Sequence, residues 1–143
     1  MKEPEELHVT IPLEYYVTHK PYKFTHNGHL ISFVVTGNTP EIQEFTFDGY
    51  GKGMNGKKQD LLVIAESDNS FYGRSGLDLV KQLVYQRQFD GMKMNFEGQS
   101  VFGELLTFEI TLIDGNRYTI ENEGLVSISG ERGNIIVEIH SVE

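Results

Sequence analysis

The sequence predicts a mainly β protein, and three observations carry that prediction. Apolar and polar residues alternate in short segments from one end to the other. Asn-Gly and Asp-Gly pairs punctuate those segments, and only residues 75–88 show convincing helical spacing. The predicted architecture is an antiparallel β-sandwich or partly open β-barrel of about eight or nine strands, with that one α-helix on a face or across one end. A length of 143 residues suits a single domain over residues 1–143, long enough to bury a core without disulfide or metal staples. Apolar residues at 38%, with 15 glycines beside them, give the composition of a chain that folds by itself.

Taken in order, residues 6–11 set Leu7, Val9 and Ile11 against His8 and Thr10, a strand with one wet face that Pro12 ends or leaves at an edge. Residues 13–24 hold Tyr15, Tyr16, Val17, Tyr22 and Phe24 around Pro21, and read as irregular chain or an edge strand. They lead into Asn27-Gly28, a pair that tolerates the two positive φ angles of a type I′ hairpin. The returning segment, residues 30–36, is apolar at nearly every position and is predicted as a central strand covered on both faces. Residues 42–48 alternate Phe45 and Phe47 with acids and threonine; residues 49–58 form a glycine-rich loop; residues 61–65 are strand-like by length; and residues 67–75 form a second loop.

The predicted helix begins at Ser75 as cap, places Asp78 where a carboxylate helps the exposed amides, and repeats Leu77, Val80, Leu83 and Val84 at helical spacing until Asp90-Gly91 ends it. Met92, Met94 and Phe96 alternate as a short strand. The last third reads as an antiparallel meander of about four strands. Leu106, Phe108, Ile110 and Leu112 line the first, Asp114-Gly115 turns it into Tyr118 and Ile120, Val126 and Ile128 start a third, and Ile135, Val137 and Ile139 complete a fourth.

Charge narrows the range of partners. With 21 acidic and 12 basic residues the net charge is −9, which repels nucleic acid and anionic membranes and favours a protein with a basic surface or a neutral small ligand. The absence of cysteine removes disulfides, thiolate nucleophiles and cysteine-bound metals. No apolar stretch approaches a signal core or a membrane span, so the expected location is the cytoplasm.

Candidate chemistry is sparse. Residues 51–58 nearly reproduce a phosphate-binding loop, but Lys58 stands where Ser or Thr should hold Mg²⁺, and the segment that follows reads as a strand instead of a helix. Its lysines, Lys52, Lys57 and Lys58, remain a candidate grip for a small anion or an acidic partner residue. His26 and His29 flank the Asn27-Gly28 turn, but two imidazoles do not make a metal site, and no metal or cofactor is expected. Gly73-Arg74-Ser75-Gly76 lacks the second glycine of a nucleophile elbow. Glu104, Glu109, Glu121 and Glu123 could supply an acid pair of glycosidase type, although acids on a wet sheet face are ordinary.

The remaining candidates are contact residues. Tyr15, Tyr16 and Tyr22 could anchor a protein partner if exposed together, and Glu109, Glu121 and Glu123 belong to a strongly acidic last third that would steer a basic one. These features predict a non-catalytic acidic binding protein, of the bacterial or phage inhibitor or immunity type, that docks on a basic protein. The alternatives are a β-barrel holding a small molecule and, more weakly, a hydrolase or isomerase using Asp, Glu and His. The expected state is a monomer or a homodimer joined through a free sheet edge or the aromatic stretch.

Overall fold

The computed structural model describes residues 3–53 and 57–143. It is mainly β, with 51% of residues in strands and 5% helical, as the alternating pattern predicts. Eleven strands are found among the described residues, and their contacts gather into two compact units, one ending at Asp68 and the other beginning at Asn69.

In the first unit, β1 (Glu5–Ile11) is followed by the single-turn helix α1 (Tyr15–Thr18), β2 (Tyr22–His26), β3 (His29–Phe33), β4 (Ile42–Phe47) and β5 (Leu61–Ser67). Strand β5 lies between β1, to which it runs parallel, and β4, to which it runs antiparallel. This central place explains its apolar run: Leu61, Val63 and Ala65 are buried, and Leu62 and Ile64 are half-buried. The β2–β3 hairpin turns through Asn27 and Gly28 at φ of 52° and 77°, the two left-handed positions that a type I′ turn requires. Strand β3 is not the doubly covered strand expected of residues 30–36. It pairs only with β2 among the described residues, and burial alternates, with Ile31 and Phe33 buried and Leu30 and Val34 exposed.

In the second unit, β6 (Gly73–Ser75), β7 (Asp78–Gln86), β8 (Lys93–Gln99), β9 (Leu105–Thr111), β10 (Arg117–Ile120) and β11 (Ile135–Val142) form two sheets. One has the order β10-β11-β7-β6, with β11 parallel to β7 and the outer pairs antiparallel; the other is the β8–β9 ribbon. Leu79, Phe96, Ile110, Ile135, Val137 and Ile139 are buried in this unit.

The helix expected over residues 75–88 is absent; the segment is a hairpin followed by a long strand. Ser75 pairs with Asp78 across Gly76-Leu77, and Gly76 at φ 59° supplies the left-handed first position of a tight β-turn. Beyond it, Leu79 and Tyr85 are buried while Val84 is exposed, a period of two. The same apolar residues satisfy either period over so short a stretch. An eight-position register with β11, from Ile135↔Leu79 to Val142↔Gln86, decides the outcome. Asp78 serves the sheet instead of a helix end, its Oδ1 accepting the Asn134 N–H at 2.8 Å.

The C-terminal meander is also corrected. β9 joins β8, β10 joins β11, and the expected third strand is reduced to a bridge between Val126 and Arg132. Gly115 donates its N–H to Ile139 O and Asn116 O accepts from Ile139 N, both at 2.9 Å, so the turn itself is already bonded to β11, the strand that β10 joins.

Candidate functional site

Because β9 and β10 leave a common turn and pair with different neighbours, a cleft opens between them. It has a volume of about 550 Å³ and is lined by Leu106, Thr107 and Phe108 from β9, with Tyr118, Thr119, Ile120 and Glu121 from β10 and the residue after it. That size falls within the range of binding pockets. Consecutive residues on both sides show that strand edges, as well as side chains, face the opening. Tyr118 ties the two strands together: its hydroxyl accepts the Thr111 N–H at 2.7 Å and reaches Thr111 O at 3.3 Å, while its ring lies 6.2 Å from that of Phe108. The bond from the Thr111 amide holds the Tyr118 phenol below the ordinary tyrosine value.

Strand alternation sorts the cleft by chemistry. Leu106, Phe108, Tyr118 and Ile120 are half-buried on the inner side; Thr107, Glu109, Thr119 and Glu121 are exposed on the outer side. Of the acids singled out in the sequence, Glu121 lines the cleft and Glu109 stands exposed on β9 one residue beyond its lining. Glu109 is only loosely engaged, 3.8 Å from Lys93 with both side chains exposed. Glu123 lies elsewhere, half-buried, where its charge adds to burial in raising the Tyr72 phenol.

The tyrosines do not form an exposed anchor. Tyr16 is wholly buried and belongs to the core of the first unit. Tyr15 and Tyr22 are half-buried and meet edge-to-face at 5.2 Å, with Tyr22 also against Phe24 and Phe33. Aromatic packing accounts for Tyr15 and Tyr22, and core burial for Tyr16.

In the glycine-rich loop, Lys52, Lys57 and Lys58 are exposed, whereas Met54, Asn55 and Gly56 lie outside the described residues. The loop does hold an anion, and it is the protein's own. Glu5 accepts the Lys52 N–H at 2.7 Å, Asn27 Nδ2 at 3.0 Å and His26 Nε2 at 2.7 Å, in a site where its side chain is only 25% exposed. His29 stacks on Tyr50 at 4.3 Å, so both turn histidines have packing partners. Hydrogen bonds, that from His26 foremost, hold the Glu5 carboxyl below its usual value of 4.5.

Glu5→Ala is expected to cost about 1–2 kcal/mol, because three donors lose their acceptor. A depressed carboxyl pKa stabilises the fold fully above about 4.5, and that share is lost as pH falls through the lower folded value. Urea midpoints of wild type and Glu5→Gln should therefore converge as the solution is acidified below that point. A gap that stays constant with pH would show that the Glu5 charge is not involved.

A second concavity, also of about 550 Å³, lies on the outer face of the four-stranded sheet beside Phe71, Lys81, Arg117 and Glu138. Its charges are already engaged: Arg117 lies 3.9 Å from Glu138, Gln82 donates to Glu138 at 3.0 Å, and Lys81 sits 4.3 Å over the Phe71 ring. It is the solvated face of a half-buried sheet. Ser75, the serine of the elbow-like sequence, ends β6 and pairs with Asp78.

Sequence reasoning named Glu109 and Glu121 but missed the cleft, since it took β9 and β10 to be paired. No local signal could have found it, since five-residue connections such as residues 112–116 also close β-hairpins. No protein-family model and no curated protein matches this chain, so its functional reading rests on this geometry.

Proposed function

We propose that this chain is a non-catalytic binding protein whose β9–β10 cleft docks a basic segment of a protein partner, in the manner of a small bacterial or phage inhibitor or immunity protein acting in the cytoplasm. One observation carries the reading: Glu121 lines an opening with an apolar interior, and Glu109 stands exposed one residue beyond its β9 wall. Between Glu104 and Glu123 the chain carries Glu104, Glu109, Asp114, Glu121 and Glu123 against Arg117 alone. Like charges around a concave apolar surface steer and orient a basic segment more than they tighten its final complex.

The test is calorimetric titration with octapeptides of equal length and apolar content that differ only in carrying lysine, serine or glutamate. The lysine peptide is expected to bind, and to weaken as salt is raised. Joint replacement Glu109→Lys and Glu121→Lys is expected to reduce its affinity by about tenfold or more. Equal binding of all three peptides would overturn the reading and favour a neutral small molecule, which the volume of the cleft also suits.

A further inference from the structure

We infer that the segment docked in this cleft adds to β9 as an extra β-strand, and that apolar residues alternate with lysine or arginine along it; the inference rests on the docking reading above. The main chain of β9 is the first support. Leu112 donates its N–H toward β8, to Met92 O at 2.9 Å, whereas Thr111 donates its own the other way, to the Tyr118 hydroxyl. In an antiparallel pair these directions alternate, so the N–H and C=O groups of Leu105, Thr107 and Glu109 point away from β8, and Thr107 lines the opening. On the far side, Ile139 donates to Asn116 O, which places the outward groups of β10 at Arg117 and Thr119.

The second support is what this edge lacks. Natural edge strands are blunted by proline, lysine, a bulge or a covering element. The β9 sequence, Leu105–Thr111, carries neither proline nor lysine, has Glu109 as its one charge, and keeps unbroken register with β8 over all seven residues. Tyr118 bonds to this edge at Thr111.

The third support fixes the sequence of the occupant. A strand added beside β9 continues the sheet, so its side chains alternate between the half-buried Leu106, Phe108, Tyr118 and Ile120 and the outer Thr107, Glu109, Thr119 and Glu121. Apolar residues match the first set, and cations match Glu109 and Glu121. Main-chain bonds supply the affinity, and the alternating faces supply the selectivity.

The probe is the octapeptide acetyl-Lys-Val-Lys-Val-Lys-Val-Lys-Val-amide, compared with a block peptide of the same composition. Binding of the alternating peptide should raise the hydrogen-exchange protection of the Thr107 and Glu109 amides by about tenfold or more, because fluctuating solvent access is replaced by a ladder bond. N-methylation of one alternate set of its amides should abolish binding, while the other set is tolerated. Thr107→Pro removes an outward N–H without touching the β8 ladder, the position where an edge strand accepts proline, and should abolish binding with little change in thermal midpoint. Thr107→Val should retain it.

Should the alternating and block peptides bind alike, with both methylated forms tolerated and no protection at Thr107 or Glu109, strand addition is overturned and charge-directed docking survives. Failure of every lysine peptide to bind overturns both. If Thr107→Pro fails to fold, the methylated peptides and amide protection decide the matter on the unaltered protein.

Discussion

Replacing Gly133 with alanine is expected to cost about 3 kcal/mol or more of stability, among the largest effects available from adding one methyl group. A Cβ at this position would stand 2.2 Å from Leu77 O and 2.4 Å from its carbonyl carbon; at Gly124 it would stand 2.5 Å from both Leu77 O and the Gly133 carbonyl carbon. The obstacle is backbone, which cannot swing aside as a long side chain can. Three main-chain bonds hold the crossing together: Leu125 N–H to Leu77 O at 2.8 Å, Gly133 N–H to Leu125 O at 2.8 Å, and Gly124 N–H to Gly133 O at 2.9 Å. Gly73→Ala is the matched control, since its Cβ would approach nothing closer than Val80 O at 3.8 Å. Its urea midpoint should stay near that of wild type, while the midpoint of Gly133→Ala falls steeply. Equal midpoints would remove the crossing as a constraint on the fold. The crossing also bears on the cleft: Asn122, next to Glu121, donates its N–H to Asn134 Oδ1 at 3.0 Å beside it. A Gly133 variant that still folds should therefore hold Glu121 less firmly and bind the lysine peptide less well.

The sequence showed strands wherever alternation and turn chemistry agreed. Residues 6–11 and 42–48, and the Asn27-Gly28 hairpin, emerged close to their predicted bounds because period-two burial and positive φ are local properties. Pairing partners were not legible. Nothing in the sequence of Tyr118 shows that its hydroxyl bridges to Thr111 instead of its strand zipping against β9, and the cleft exists because of that choice. The parallel pairings, β1 with β5 and β7 with β11, join segments far apart in sequence, so no turn signal announces them. Exposure was equally hidden: Tyr16 and Tyr22 are the same residue type a few positions apart, yet one is sealed in the core and the other half-covered by neighbouring rings. The acidic residues were visible as a composition bias, and only the divergence of two strands put Glu121 on the lining of a cleft, with Glu109 exposed just beyond it.

Leu79→Ala is expected to lower stability by about 3 kcal/mol, while Val84→Ala should change it by no more than about 0.5 kcal/mol. The comparison tests directly which period residues 75–88 obey. A helix would turn Leu77, Val80, Leu83 and Val84 to the core, making Val84→Ala costly and leaving Leu79 off the buried stripe. A strand reverses that order. Leu79 is wholly buried and paired with Ile135, itself wholly buried, and its N–H donates to Asn134 O at 2.8 Å, whereas Val84 is 58% exposed. Truncating Leu79 opens a cavity at the start of the parallel β7–β11 ladder, where the packed backbone at Gly124 and Gly133 leaves little freedom to collapse around it. Truncating Val84 removes a side chain from the wet face. Chemical denaturation of the two variants distinguishes the cases, and a Val84 cost exceeding that of Leu79 would restore the helix. β7 joins β6 to β11 in the sheet whose outer strand is β10, and β10 forms one wall of the cleft.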